Sequence, residues 1–288
     1  SYAMDLHQRS PIGNDAIIQY MLSWFQLPHN ITMTFWLSQI LQGLAMKYAI
    51  DHWRRSKPRC MGTLYWQLND CWPAASWSSI DWKGNWKALH YFAKRFYNPI
   101  SITAVESKEE NSCSIWVVND NLEQIKADIV CNLMNANGDI IWSKSTQNYQ
   151  IDSLSSTMVE KICFDFDFDY KNTFFNVTLL EKNIPISSDT IFFERPKYFE
   201  LQKPNIKWKL FPMESDNLKT IMEIKCEKPA FWVWLDIPDL LNKFSDNFFH
   251  LFPNDSKKVI ICEKLEALSK LDIQIHSLYS CRNEEIEI

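Results

Sequence analysis

The stretch at residues 61–99 constrains the fold of this chain more than any other. Residues 61–68 are almost continuously apolar, which is typical of a strand covered on both faces of a parallel sheet. A tryptophan-rich loop follows, and over residues 86–96 the apolar side chains recur at helical spacing. The stretch therefore predicts a buried strand, a loop and an amphipathic helix with Leu89 and Phe92 on its buried face.

Two helices are predicted ahead of this strand. The first spans residues 14–25 with Asn14 as its N-cap, and the second spans residues 34–54 and ends in a basic turn. The order helix, strand, helix is typical of the end of a parallel α/β barrel or of a doubly wound sheet. The predicted core residues of the second helix are Phe35, Leu37, Ile40, Leu41, Leu44, Tyr48 and Ile50.

Beyond residue 99, short alternating or β-branched segments are separated by turn signals. Asn137-Gly138-Asp139 between two such segments is a strong hairpin signal. The spacing predicts one immunoglobulin-like sandwich followed by a second small sandwich. The predicted strands are residues 114–118, 126–134, 140–144, 160–166, 173–180 and 190–193, and then 206–210, 218–226, 231–235, 258–262 and 271–278.

The composition excludes several classes of function. The net charge is −5, and no basic run resembles a phosphate-binding stripe, so we expect no nucleic-acid partner. No apolar run reaches the roughly 18 residues of a membrane span, so we expect no membrane association. Eight cysteines lack zinc-type spacing and only five glycines occur, so we expect neither a metal nor another cofactor. Cys131 and Cys163 fall in predicted facing strands, but free thiols and disulfides fit the spacing equally well.

Three asparagines, Asn30, Asn176 and Asn254, begin Asn-x-Ser/Thr sequons and are candidate glycosylation sites. They are compatible with a lysosomal or secreted protein, whereas a bacterial protein would be cytoplasmic or periplasmic. The first ten residues contain neither an initiator methionine at position 1 nor a signal-peptide pattern, which suggests a processed or truncated chain.

The carboxyl end of the predicted strand holds the most informative polar residues. Active sites of β/α barrels lie at this end of the strands, and here Trp66 is followed by Asn69 and Asp70. An indole stacks on the apolar face of a sugar ring while amide and carboxylate groups bond its hydroxyls. We therefore predict these three as substrate-binding residues; the alternative is that Trp66 is core and the other two cap the loop. The remaining tryptophans of the stretch, Trp72, Trp77, Trp82 and Trp86, are expected to pack the loop.

The chain offers no convincing catalytic pair. Hydrolysis of a glycosidic bond normally needs two carboxyl groups that flank it. Asp70 lies at the right end of the predicted strand but has no carboxyl partner there, and Asp5, Asp15 and Asp51 lie in or beside predicted helices. We assign no catalytic residue in this chain.

Residues 65–77 read Tyr-Trp-Gln-Leu-Asn-Asp-x-Trp-Pro-x-x-Ser-Trp, which resembles the last barrel strand and loop of β-mannosidases of glycoside hydrolase family 2. Residues 86–93 reinforce the resemblance, residues 232–236 and 244–247 resemble the terminal sandwich of these enzymes, and residues 6–28 resemble the segment after the nucleophile strand. The resemblance covers almost the whole chain. It implies the C-terminal part of a (β/α)8 TIM barrel at residues 1–98 and immunoglobulin-like all-β sandwiches at residues 99–200 and 201–288.

The family consists of retaining exo-glycosidases with an acid/base and a nucleophile glutamate on earlier barrel strands. Their Ser-Glu-[Phe/Tyr]-Gly motif is absent here, so the resemblance implies that both glutamates lie upstream of Ser1 and that the isolated chain is inactive. It implies an oligosaccharide substrate with terminal non-reducing β-D-mannose, such as an N-glycan fragment, and it matches Trp66 to an aromatic wall of the sugar subsite. The alternatives are an exo-glucosaminidase, an endo-β-mannosidase, or a non-catalytic carbohydrate-binding or structural module.

Overall fold

The computed structural model describes residues 2–8, 10–238, 240–241 and 244–282, so the predicted third domain ends outside the described residues. The helices are α1 (Tyr2–His7), α2 (Gly13–Trp24), α3 (Ile31–Arg55), α4 (Ala88–Phe96), α5 (Leu265–Leu268) and α6 (Leu278–Arg282). The strands are β1 (Ile100–Ser107), β2 (Ser112–Asn119), β3 (Ile125–Asn135), β4 (Ile140–Ile151), β5 (Ser155–Cys163), β6 (Thr173–Glu181), β7 (Ile184–Phe192), β8 (Lys207–Pro212), β9 (Thr220–Lys225), β10 (Ala230–Asp236), β11 (Phe249–Leu251), β12 (Lys257–Ile261) and β13 (Gln274–His276).

The chain divides into two compact units. Unit 1 comprises Ser1–Leu44, Tyr65–Phe92 and Leu201–Ile288, and unit 2 comprises Ala45–Leu64 and Ala93–Glu200. Helices α3 and α4 each contribute residues to both units. The division into three domains at residues 98 and 200 stays a prediction.

The helix starts differ from the predicted ones for a local reason. Asn14 lies inside α2, where its side-chain amide donates to Asp5 Oδ1 at 3.1 Å, so the prediction of Asn14 as the N-cap is wrong. Helix α3 begins three residues earlier than predicted because Asn30 Oδ1 accepts the backbone N–H of Met33 at 2.8 Å. The sequence pattern finds the helices but misplaces their caps.

Helix α3 buries a stripe that is offset from the predicted one. Phe35 and Tyr48 are 42% and 53% exposed, whereas Met33 and Trp36 are buried. Leu37, Ile40 and Ile50 are buried as predicted. The predicted face of α4 is confirmed, with Leu89, Phe92, Ala93 and Phe96 all buried. No helix within the described ranges is both long and apolar enough to cross a bilayer.

Residues 61–68 do not form the predicted strand. They pair in no ladder, and only the adjacent Asn69 forms an isolated parallel bridge, with Ile80. Leu64 is 96% exposed, and Met61 and Leu68 are exposed as well. A strand needs neighbours for its backbone N–H and C=O groups, and no strand of the described residues forms a ladder with this segment. Only at its end do the carbonyls of Gln67 and Leu68 accept backbone N–H groups, from residues 79 and 80. The apolar run therefore remains an irregular segment outside any sheet, and the prediction of a strand here is wrong.

Unit 2 contains an antiparallel sandwich. One sheet has the order β1-β2-β5 and the other the order β4-β3-β6-β7, with a buried apolar core that both sheets contribute to. The predicted hairpin at Gly138 is confirmed, since β3 and β4 flank it, Gly138 has φ 87°, and Asn135 Oδ1 accepts the N–H groups of Asn137 and Asp139. Strand β1 was not predicted, because it begins directly after the end of α4.

Unit 1 contains two small antiparallel sheets, with orders β12-β9-β8 and β11-β10-β13. Their core includes Met222, Val233, Leu235, Phe244 and Val259. The predicted strands at 206–210, 218–226, 231–235 and 258–262 are confirmed as β8, β9, β10 and β12, while β13 occupies only part of 271–278. The sequence pattern missed β11, because three residues are too few to show an alternation.

The helices of unit 1 pack against its terminal sheets. The rings of Phe25 and Trp232 meet edge to face with centroids 5.8 Å apart, and the Tyr91 hydroxyl accepts the backbone N–H of Phe244 at 3.1 Å. The backbone N–H of His29 donates to the Cys281 carbonyl at 3.2 Å. Segments that are far apart in the sequence therefore share one packed unit.

All eight cysteines are free. Cys131 lies in β3 and is buried, whereas Cys163 lies in β5 of the other sheet and is exposed. Burial raises the pKa of the Cys131 thiol to about 12, so this thiol stays protonated at neutral pH.

Candidate functional site

The loop at residues 69–87 is organised around the carboxylate of Asp70. Its Oδ1 accepts the hydroxyl of Ser76 at 2.6 Å, and its Oδ2 accepts the hydroxyl of Ser78 and pairs with Lys87 Nζ at 2.9 Å. Desolvation raises the pKa of this carboxyl, but the hydrogen bonds from the two serines and Lys87, with the lysine charge, outweigh it and hold the pKa below its usual range. Asp70 is therefore a buried, ionised anchor.

Backbone pairing brings these partners together. Ser76 and Ser78 are two residues apart, so an extended chain turns both side chains to the same side. Ile80 bridges to Asn69 in the parallel sense and to Trp86 in the antiparallel sense. These bridges fold the loop back on itself and carry Lys87 to the carboxylate.

A second polar cluster lies behind the first. The Ser79 hydroxyl donates to the Leu68 carbonyl at 3.0 Å and lies 2.9 Å from the Tyr65 hydroxyl and 3.2 Å from His90 Nδ1. The Ser79–His90 distance alone would suit a nucleophile and base, but Ser79 has no exposed surface. Burial also lowers the pKa of His90. The cluster holds the loop and has no access to a substrate.

The three predicted sugar contacts differ in accessibility. Trp66 is 76% exposed and precedes a cis peptide bond to Gln67. Asn69 is also exposed, and its amide donates to the Asp70 carbonyl oxygen at 3.3 Å. The Asp70 side chain is only 7% exposed. Trp66 and Asn69 are thus accessible to a ligand, while the carboxylate of Asp70 bonds to side chains of the loop.

The four other tryptophans of the loop differ in exposure: two are half-buried and two are exposed. Trp72 is half-buried against the ring of His7, with centroids 5.4 Å apart, and Trp86 is half-buried against Tyr91 at 5.8 Å. Trp77 and Trp82 are 56% and 49% exposed. The expected packing role therefore fits Trp72 and Trp86 and does not account for the two exposed indoles.

A cavity of about 310 Å³ lies beside the loop. Its lining includes Gln8, Ser10, Gln67, Trp72, Ser76 and Trp77. The sequence pattern did not single out Gln67, whose Oε1 accepts Trp77 Nε1–H at 3.2 Å, because their spacing of ten residues matches neither a helix nor a strand.

Two other carboxylates, those of Asp81 and Asp51, have structural partners. Asp81 accepts the backbone N–H groups of Lys83 and Asn85, both at 2.8 Å, and so closes a turn. In unit 2, Asp51 pairs with Lys47 at 2.8 Å. Within the described ranges, no group of three or more His, Cys, Asp or Glu side chains is placed to hold a metal ion.

The three sequons lie in different surroundings. Asn30 and Asn254 are exposed. Asn176 is only 8% exposed in β6, and its amide donates to the Asp189 carbonyl at 3.2 Å and to Thr190 Oγ1 at 3.0 Å. We retain Asn30 and Asn254 as the accessible candidate acceptors.

Two family models match most of the sandwich region. Residues 111–198 match a model described as Mannosidase Ig/CBM-like domain, and residues 201–281 match one described as Ig-fold domain. A probable β-mannosidase of Caenorhabditis elegans is 26% identical over 85% of this chain and 29% of its own length. The crystal structure of the β-D-mannosidase of Dictyoglomus thermophilum, 26% identical, superposes on 95% of this chain and 33% of that chain with a TM-score of 0.86. The chain is a relative of the β-mannosidases.

The β-mannosidase of Capra hircus is 39% identical over 36% of this chain. The chain spans only 13% of the goat protein and 29% of the nematode protein. The β-mannosidase resemblance read from the sequence is confirmed, and the immunoglobulin-like character of the sandwich regions is supported by both family models.

Proposed function

We propose that this chain is the C-terminal portion of a retaining exo-β-mannosidase that removes terminal, non-reducing β-D-mannose from oligosaccharides, N-glycan fragments among them. The β-mannosidase relatives support this reaction class. The observation that carries the proposal is the exposed indole of Trp66, just ahead of the loop that the Asp70–Lys87 ion pair holds in place. An accessible aromatic ring is the kind of surface that a pyranose stacks on.

The three predicted site residues take different roles in this proposal. Trp66 stacks on the terminal mannose, and the Asn69 amide bonds a sugar hydroxyl. Asp70 is a positioning residue, because both of its carboxylate oxygens already serve Ser76, Ser78 and Lys87. The acid/base and nucleophile glutamates are supplied by sequence upstream of Ser1.

In the same proposal, residues 1–98 complete a (β/α)8 TIM barrel, and residues 99–200 and 201–288 form two sandwich domains. The exposed apolar segment at residues 61–68 supports the barrel, since a strand with both neighbours in place would cover Leu64 and Met61. The accessible sequons at Asn30 and Asn254 support a lysosomal or secreted location, and a bacterial protein would instead be cytoplasmic or periplasmic.

Replacing Trp66 tests the proposal in the natural protein that carries this chain. Trp66→Ala should lower kcat/KM for an aryl β-mannoside by about 100-fold, because lost transition-state contacts cost tenfold for each 1.4 kcal/mol. The matched control is Trp82→Ala, which removes another exposed indole of the same loop. Steady-state kinetics and a thermal melt would be compared for both variants.

Three results would contradict the proposal. The first is an unchanged rate in Trp66→Ala. The second is a natural protein that prefers an aryl β-glucosaminide to the mannoside. The third is turnover by the isolated chain, which lacks the paired carboxylates that the reaction needs.

A further inference from the structure

We infer that Ser79 and His90 are positioning residues that fix the main chain on both sides of Trp66, the proposed platform for the terminal mannose. This inference rests on the proposed function. Trp66 is 76% exposed, and among the described residues its indole has no hydrogen-bond or ring partner. The direction in which the indole points therefore depends on the main chain that carries it.

Ser79 holds this main chain at both ends. Its hydroxyl oxygen lies 2.9 Å from the hydroxyl of Tyr65, the residue before Trp66, and it donates to the Leu68 carbonyl at 3.0 Å. The backbone N–H of Ser79 donates to the carbonyls of Gln67 and Leu68, both at 3.1 Å. Ser79 itself has no exposed surface. One buried residue thus bonds to the chain immediately before and shortly after the indole.

The hydrogen atoms available to this cluster assign His90 its role. A serine hydroxyl has one hydrogen to donate and two lone pairs that accept. The carbonyl of Leu68 can only accept, so the hydrogen of Ser79 points at it. The Tyr65 hydroxyl and His90 Nδ1, at 2.9 and 3.2 Å, must then both donate to the serine oxygen. His90 therefore carries a proton on Nδ1, and removing it leaves a buried acceptor without one of its partners.

His90 can anchor the segment because it belongs to a packed helix. It lies in the first turn of α4, next to the buried Leu89. The backbone N–H of Ala88 donates to Gln39 Oε1 at 3.0 Å, and the indole of Trp86 packs on the imidazole with centroids 4.8 Å apart. The hydrogen bonds of His90 and Ser79 thus connect a segment outside the described sheets to the packed end of α4.

The first test replaces the imidazole in the natural protein that carries this chain. His90→Leu should lower kcat/KM for an aryl β-mannoside about tenfold, because a displaced platform binds the transition state less well. His90→Asn should restore most of the rate, since its amide nitrogen can donate from the position of Nδ1, whereas His90→Gln should not.

The matched control for these variants is His52→Leu, which removes an exposed histidine of α3 and should leave the rate unchanged. Thermal melts would establish that each variant is folded. An unchanged rate in folded His90→Leu, or equal rates in His90→Asn and His90→Gln, would overturn the inference.

A double-mutant cycle tests whether His90 acts through Trp66. In the Trp66→Ala protein the platform is already absent, so adding His90→Leu should lower kcat/KM less than about twofold. The same tenfold loss in both backgrounds would overturn the inference, because the histidine would then affect the reaction by another route.

The third test observes the imidazole and does not depend on catalysis. Nitrogen NMR of the natural protein labelled at histidine should show His90 in the Nδ1–H form, and the signal that is lost in His90→Asn identifies it. Ser79→Ala removes the acceptor and should shift His90 towards the Nε2–H form, with the signal of His52 unchanged. An Nε2–H form in the wild-type protein would overturn the inference.

The results separate the positioning role from the proposed function. A wild-type protein that hydrolyses mannosides at a rate unaffected by His90→Leu would refute the positioning role and leave the function standing. A wild-type protein that hydrolyses no mannoside would refute the function, whereas an Nδ1–H signal that Ser79→Ala abolishes would still support the anchoring of the main chain.

Discussion

The carboxylate of Asp70 shows how one buried charge can hold a loop that has almost no regular secondary structure. Ser76, Ser78 and Lys87 all point their polar hydrogens at it, and the side chain is 7% exposed. Removing one member of such a cluster leaves the others without a full set of partners in a partly desolvated site.

Asp70→Asn is expected to destabilise the loop by about 2 kcal/mol, because a neutral amide cannot balance Lys87. Hydrogen exchange of residues 69–87 would measure the loss, with the exposed Asp167→Asn as control.

The folded pKa of Asp70 is lowered, so its contribution is complete above the unfolded pKa of about 3.9 and is lost as the pH falls through the folded value. Loop protection that stays constant from pH 5 to pH 2 would contradict this role.

Sequence reasoning singled out candidate sugar contacts, whose role stays a prediction, and it did not anticipate the contacts that hold the loop. The motif singles out Trp66, Asn69 and Asp70, and the structure shows that Trp66 is exposed. The partners of Asp70 could not be predicted, because Lys87 reaches it only after the Ile80 bridges fold the loop back. Such contacts depend on tertiary structure and leave no periodic signal.

The close contact of α3 and α4 in unit 1 depends on a missing side chain. A Cβ on Gly43 would lie 2.8 Å from the ring of Phe92, which is less than any ordinary contact. Helical spacing predicted both helices because each buries a continuous stripe. The same kind of pattern led to a wrong strand prediction at residues 61–68, since a strand forms only where other strands pair with it.

Gly43→Ala is expected to lower the stability of the chain by about 1 kcal/mol. Overpacking against Phe92 lowers the free energy of unfolding by roughly 1–3 kcal/mol, and the better helix propensity of alanine raises it by about 1 kcal/mol. The control is Gly62→Ala, where an added Cβ meets nothing within 4 Å. Denaturant unfolding followed by tryptophan fluorescence would compare the two, and a stabilised Gly43→Ala protein would refute the close contact.

At the scale of the whole molecule, unit 2 is held together across the sequence by a buried ion cluster. Lys47 of α3 lies 2.8 Å from Asp51 and 2.9 Å from Asp189 of β7, and the two carboxylates are 4% and 2% exposed. Burial lowers the pKa of Lys47, but the two carboxylates outweigh this and raise it above its ordinary value. Asp189 also accepts the backbone N–H of Ala104 in β1 at 3.0 Å.

Lys47→Met should destabilise unit 2 by about 3 kcal/mol, because it leaves two buried carboxylates without their cation. Faster hydrogen exchange in β1 and β7 would report the loss. Lys144→Met breaks the exposed pair with Glu160 and should cost no more than about 1 kcal/mol. Equal effects of the two substitutions would contradict a special role for the buried cluster.

The discontinuous make-up of unit 1 bears on how the chain is synthesised. Helices α1 to α3 begin before residue 44 and α4 begins at Ala88, yet the sheets of unit 1 start after residue 201. The His29–Cys281 contact joins residues 252 positions apart. During translation, unit 2 has all of its residues available first, while Phe25 and Tyr91 wait for Trp232 and Phe244 to emerge from the ribosome. A premature stop codon within the segment that encodes β8 to β13 would therefore leave α2 and α4, which are encoded far upstream, without the sheets that they pack against.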